Sequence, residues 1–164
     1  MTADFHESTV KLVSYDQKYE AALKQFYLPE EQSLFSRLPL DKIHEPTQPA
    51  KTIHVIILEN NVPVGYFALE HGEKRKTYTE SQAACLLTSF SIDYKHQGKG
   101  LAKKGLQLLP DYINTNLPAI NEVVLGVNQK NEPAINLYLN AGFVDNNEVY
   151  EGPKGPQQIL HLKV

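Results

Sequence analysis

Apolar and polar positions alternate from Thr9 to Ser14, with β-branched residues among them, and predict a first strand. The period then lengthens. Asp16 is placed to cap a helix whose apolar residues, Tyr19, Ala22, Leu23 and Phe26, fall on one helical face. Pro29 suits the first turn of a second short helix with Leu34, Phe35 and Leu38 inward, and Pro39 is expected to end it. The segment Asp41 to Ala50 holds two prolines and reads as a loop.

From Thr52 the pattern returns to strands. Ile53 to Glu59 and Val62 to Glu70 flank Asn60-Asn61, a pair that tolerates positive φ and so predicts a tight hairpin. A polar stretch, His71 to Gln82, precedes a longer strand at Ala84 to Asp93. After a glycine-containing loop comes a helix carrying Leu101, Leu108, Leu109 and Tyr112. Pro110 lies inside it and must kink or split it, because proline removes one backbone donor and crowds the preceding turn. Glu122 to Val127 reads as a strand and Pro133 to Ala141 as a helix ended by Gly142. Phe143 to Glu151 and Gln157 to Lys163 read as two last strands. The order predicts an α/β fold with a mixed, mostly antiparallel central sheet of about seven strands and about four helices.

Composition changes this picture little. The chain has 164 residues, 41% of them hydrophobic and 21% charged, a size that fits one domain spanning 1–164. No repeat or long linker divides it. A net charge of -3 argues against a nucleic-acid partner, which calls for a basic face. No apolar run approaches membrane-spanning length, and the polar start Met1-Thr2-Ala3-Asp4 is unlike a signal peptide, so no membrane partner and a cytoplasmic location are expected. Cys85 is the single cysteine and sits in an apolar run, where a buried structural thiol is expected. Six histidines without ligand spacing predict no metal site.

The chemistry begins at Gln97-Gly98-Lys99-Gly100-Leu101-Ala102. Glycines let a backbone approach a ligand closely, and the first amides of the following helix point outward unpaired. The helix dipole adds to this, and Lys99 puts a charge at the edge, so the loop is suited to a phosphate. Two other glycine patterns do not fit. The P-loop spacing from Gly100 to Gly105 is followed by Leu106 rather than Lys, and the dinucleotide fingerprint meets Lys103 where it needs a third glycine. A plain strand-to-helix turn explains the same residues. Further on, Asn131 is placed to cap a helix with Pro133 in its first turn. Tyr138 follows two helical turns later, near the same face.

Together these residues resemble the GNAT acetyltransferase superfamily. Ile92 and the Gln97 to Ala102 loop are similar to its strand-loop-helix motif. Asn131-Glu132-Pro133-Ala134-Ile135-Asn136-Leu137-Tyr138-Leu139-Asn140-Ala141-Gly142-Phe143 is similar to its second signature. Tyr94 stands where many members have proline. The resemblance implies acetyl-CoA as acyl donor, with Phe90, Ser91 and Ile92 against the pantetheine arm. It implies Gln97, Gly98, Lys99, Gly100, Leu101 and Ala102 around the pyrophosphate, and Asn131 nearby. Tyr138, a phenol with an ordinary pKa of about 10, would protonate the departing thiolate, and backbone donors on the splayed strand would steady the developing oxyanion.

An aliphatic amine acceptor also has a pKa of about 10, so a base must take its proton. Glu70 is the first candidate, with Glu80, His71 and His96 as alternatives, and a water-mediated path would suffice. The expected reaction is N-acetylation of a primary amine by direct attack in a ternary complex. Glu30, Glu31, Asp41 and Glu45, with Tyr27 and Phe35 close by, would favour a small cationic amine such as a polyamine or aminoglycoside; a solvated helix face explains the same carboxylates, and a peptide amine stays open. A homodimer is compatible with this reading. So is a non-catalytic acyl-CoA-binding sensor, which would give Tyr138 no task.

Overall fold

The computed structural model describes residues 8–46 and 52–164. Seven strands form one sheet in the order β1-β2-β3-β4-β5-β7-β6. They are β1 (Val10–Ser14), β2 (Thr52–Glu59), β3 (Val62–Glu70), β4 (Ala84–Ile92), β5 (Glu122–Asn128), β6 (Val144–Gly152) and β7 (Gly155–Lys163). All neighbours are antiparallel except β4 and β5. The mixed, mostly antiparallel sheet is thus the one expected.

The strands follow the alternation closely. Between β2 and β3, Asn60 and Asn61 have φ of 50° and 68°, the paired left-handed geometry of a two-residue hairpin turn. Alternation then gives the sheet two apolar faces. Ile56, Leu58, Tyr66 and Ala68 pack with Leu23 and Phe26 on one face. Val55, Ile57, Phe67, Leu69, Cys85 and Leu87 pack with Leu101, Leu106, Leu109 and Tyr138 on the other.

The helices depart further from expectation. Among the described residues there are six α-helical segments: α1 (Glu20–Leu23), α2 (Glu30–Ser33), α3 (Pro39–Ile43), α4 (Leu101–Gln107), α5 (Leu109–Asn116) and α6 (Glu132–Asn140). Asp16 does cap the first turn, accepting from the Lys18 amide at 2.9 Å. Pro29, however, is the cap of α2 rather than its first residue, and α2 lasts one turn. Leu34 and Phe35 therefore leave the helix, and at 57% and 44% exposure they do not face inward. Pro39 opens α3 instead of ending α2, because its fixed φ and missing N–H suit a first turn. Of the expected loop from Asp41 to Ala50, the first residues complete α3, and residues 47–50 lie outside the described residues. Pro110 splits its helix as expected: α4 ends at Gln107, α5 starts at Leu109, and the proline occupies the first turn of α5.

No helix among the described residues is long and apolar enough to cross a membrane.

Candidate active site

β4 and β5 run parallel but pair only at Ala84–Glu122, Cys85–Val123 and Leu86–Val124. β4 continues to Ile92 and β5 to Asn128, so past Leu86 and Val124 the strands separate and a gap opens in the sheet. The divergence coincides with a bulge in β4. Ser89 is left-handed at φ 57°, and Ser89 with Phe90 stands opposite Phe67 alone. A bulge bends its strand and increases the local twist. It also changes which side chains face which way. Cys85 and Leu87 before it, and Phe90 and Ile92 after it, all belong to the α4–α6 face. Thr88 instead meets Glu70 on the opposite face.

The backbone of β4 is oriented by its ladder to β3. The Asp93 amide bonds the Val64 carbonyl at 2.9 Å, so by antiparallel alternation the Asp93 amide and the backbone groups of Ser91 turn to β3. Those of Phe90 and Ile92 turn to the gap. Their carbonyls already accept bonds, Phe90 from the Ser36 hydroxyl at 3.1 Å and Ile92 from the Gln97 side-chain amide at 2.8 Å. Their amides are the donors left facing the gap. Ser91, by contrast, is buried with its hydroxyl unpartnered.

The loop after β4 takes its shape from two left-handed glycines, Gly98 at φ 80° and Gly100 at φ 77°. Gly100 caps α4, and a Cβ at either glycine would meet no protein atom within 4 Å. The space beside the loop is open, as a phosphate-sized group requires. Leu101 is buried in the core and Ala102 packs against it, so these two residues offer the loop only their amides. Lys99 is exposed at the rim. Gln97 is turned inward, bonding Ile92 and the Gln32 side chain, so it braces the loop from behind.

Asn131 caps α6 through its side chain, which accepts the Ala134 amide at 3.4 Å. Tyr138 lies two turns on, 8% exposed, edge-on to Phe90 at 6.0 Å and to Phe143 at 5.5 Å. Burial pushes its phenol well above the ordinary tyrosine range, which keeps it protonated.

Glu70 ends β3 opposite Leu86, the last β4 residue paired with β5. It is 0% exposed. Its Oε2 accepts from the Lys42 ammonium at 3.3 Å and the Thr88 hydroxyl at 2.5 Å, while its Oε1 is buried without a partner. Lys42 is itself buried, and also lies 3.7 Å from Glu45. Neither Lys42 nor Thr88 stands out in the sequence, since a lysine in an expected loop and a threonine in a strand both read as ordinary. Alternation alone sets Thr88 on the face opposite Cys85 and Leu87; the bulge that follows it turns Phe90 back to theirs. The other candidate bases lie elsewhere. Glu80 is exposed in the loop before the paired end of β4. His71 bonds the Gln82 carbonyl and lines a cavity of about 470 Å³ at that same end. His96 follows β4 directly, its Nδ1 buried without a partner.

The expected acidic rim is only partly free. Glu30, Glu31 and Asp41 are exposed, but Arg37 pairs with Glu45 at 2.9 Å and holds its carboxyl below the usual range. The segment from α2 to α3 bridges the gap: Ser36 bonds Phe90 of β4, and Lys154 from the β6–β7 turn bonds the Leu34 carbonyl at 3.0 Å. Tyr27 is exposed, edge-on to Tyr94 at 5.7 Å, and anchored by its amide to Asp93. Burial pushes the Cys85 thiol up to about 12, so it is not poised as a nucleophile. Among the described residues no group of three or more His, Cys, Asp or Glu could hold a metal ion.

Residues 17–143 match the acetyltransferase (GNAT) family. The chain is 34% identical over 154 residues to a Bacillus subtilis (strain 168) protein named uncharacterized N-acetyltransferase YbbJ, covering 93% of this chain and 96% of that one. Its fold is similar to that of the aminoglycoside acetyltransferase AAC(6')-Ib solved with coenzyme A and kanamycin, with TM-score 0.76 and 19% identity over 94% of this chain and 95% of that one. It is also similar to a chimera of the spermidine N-acetyltransferase SpeG from Vibrio cholerae and hSSAT, with TM-score 0.62 and 18% identity over 94% and 95% of the two chains. The chain therefore belongs to the GNAT family of acetyl-CoA-dependent N-acetyltransferases.

Proposed function

We propose that this enzyme acetylates a primary amine, with donor and acceptor meeting at the gap between β4 and β5 from opposite faces of the sheet. The observation that carries this reading is the segment Thr88–Ser89–Phe90. Its bulge sends Thr88 to Glu70 on one face and Phe90 to Tyr138 on the other, so candidate base and candidate acid flank one short stretch of strand. On the α4–α6 side, the amides of Gly98 to Ala102 would hold the pyrophosphate of acetyl-CoA, with Lys99 adding charge. The amides of Phe90 and Ile92 would hold the pantetheine arm, with Asn131 at the edge. Acetyl-CoA supplies a thioester, which a neutral amine can attack.

The remaining work falls to side chains. Glu70 would take the proton from the acceptor ammonium. Tyr138, kept protonated by burial, would give a proton to the departing sulfur. The acceptor would enter on the α1–α3 face beside Glu30, Glu31 and Asp41, where exposed carboxylates favour a small cationic amine or a peptide amine.

The role of Tyr138 is tested by Tyr138→Phe, which keeps both ring contacts and removes the hydroxyl that carries the proton. Turnover at saturating donor and acceptor should fall by about 10²-fold or more, the usual range of a general acid, with coenzyme A affinity unchanged. Full turnover in this variant would remove Tyr138 from the mechanism.

A further inference from the structure

A fully buried carboxylate cannot touch an acceptor. Glu70 has no exposed surface, and the rung Leu86–Val124 beside it is still closed. Thr88 is the next residue on that face beyond this rung, it is half-buried, and its hydroxyl donates to Glu70 Oε2 at 2.5 Å. A hydroxyl that donates one bond still has lone pairs to accept another. Thr88 Oγ1 thus stands between the base and the gap.

We propose that Thr88 relays the acceptor's proton to Glu70; this rests on the reading of Glu70 as the base. The acceptor ammonium gives one proton to Thr88 Oγ1 while the threonine's own proton moves to Glu70 Oε2. The nitrogen is left neutral with its lone pair, Glu70 becomes a neutral carboxylic acid, and Thr88 is a hydroxyl before and after. No electrons change hands, and the proton returns to solvent by the same path once the product has left. Lys42 Nζ lies 3.3 Å from the receiving oxygen. The other titratable groups around Glu70 are Glu45 beyond α3, His54 on β2, Tyr66 on β3 and Tyr78 in the loop before β4; the last three sense its charge.

The test compares Thr88→Val, which keeps the shape and loses the hydroxyl, with Thr88→Ser, which keeps the hydroxyl, and with Glu70→Gln. The probes are spermidine, kanamycin and propylamine, followed by release of coenzyme A thiol from pH 6.5 to 9. At neutral pH, kcat/KM in Thr88→Val should fall about 10²-fold, the lower end of what a general base supplies, and Thr88→Ser should recover most of it. Without a relay the variant depends on amine that is already neutral in solution. Its log kcat/KM should therefore rise with unit slope across the range, while that of the wild type levels off.

A second readout needs no turnover. The proton NMR spectrum should show a downfield, slowly exchanging hydroxyl proton that disappears in Thr88→Val and shifts in Glu70→Gln. Melting temperatures within a few degrees of wild type show that the variants fold. If Glu70→Gln is impaired while Thr88→Val keeps the wild-type profile, the relay is overturned and Glu70 stands as base. If Glu70→Gln keeps the wild-type profile, the base itself is wrong and the relay falls with it. If the wild type acetylates none of the probes and the hydroxyl proton is absent, the relay is overturned as well.

Discussion

At the scale of single residues, the site depends on groups whose environments oppose one another. Tyr138 is isolated among aromatic rings and held protonated by burial, whereas Glu70 is buried but tied to a cation. A buried pair costs desolvation on both sides, so its net gain is small, but removing one partner strands the other charge. Lys42→Ala should therefore destabilise the fold by roughly 3–5 kcal/mol. Lys42→Met combined with Glu70→Gln should restore much of that loss, measured by urea unfolding. Equal losses in the single and double variants would mean that the pair is not what holds α3 to the sheet. Neither partner advertises this pairing in the sequence. Lys42 falls in a stretch that reads as a loop, and only the fold brings it to a carboxylate on a distant strand.

At the scale of elements, what is legible follows from the length of the repeating pattern. The strands from β2 to β7 repeat over enough residues for alternation to locate them, and Asn60-Asn61 and Pro110 mark a turn and a break that both occur. The segment between β1 and β2 is different. Its helices last about one turn, too short for a period to show, so capping and packing decide which way Leu34 and Phe35 face. The bulge at Ser89 is equally silent, because Leu87-Thr88-Ser89-Phe90 reads as continuous strand, yet it separates the two faces of the site.

Gly126 in the diverging part of β5 provides a test of packing there. A Cβ at this position would lie 2.4 Å from the Tyr78 ring and 2.2 Å from Gln157 Oε1, two groups that bond each other at 2.8 Å. Gly126→Ala should cost about 1–3 kcal/mol, as overpacked sites do, and should weaken the edge-on contact between Tyr78 and Tyr150. An unchanged urea midpoint would show that Tyr78 swings aside freely.

At the scale of the whole molecule, buried groups that resist ionisation set a limit on the alkaline side. Tyr66, Tyr78, Tyr112, Tyr138 and Cys85 are all shifted upward, each chiefly by burial. In the unfolded chain they lose their protons first, so above those ordinary values the folded state binds more protons and stability falls as pH rises. The stability these groups contribute is fully present below about pH 9 and is lost progressively above it, at up to about 1.4 kcal/mol per pH unit for each group. Urea midpoints should be nearly flat from pH 7 to 8.5 and then decline, and Tyr138→Phe should reduce the slope above pH 10. A stability that rises with alkalinity would contradict these burials.

The two faces of the sheet also divide the labour. The α4–α6 face carries the glycine loop and Tyr138, both readable from the sequence through the resemblance they bear to the family. The α1–α3 face carries Glu70, Lys42, Thr88 and the segment that bridges the gap, and there the chain discloses little before it folds. On the proposed reading, the donor half of the reaction would be written locally and the acceptor half assembled from distant residues.

The most direct test of this account is to incubate the wild-type enzyme with acetyl-CoA and a panel of primary amines: polyamines, aminoglycosides and peptides with free amino groups. Coenzyme A thiol release is followed alongside mass spectrometry of the amine. Thiol release should be matched one for one by an acetylated amine, and both should be lost in Tyr138→Phe. Tight binding of acetyl-CoA with no acetylated product from any amine would contradict it and leave a binding module in its place.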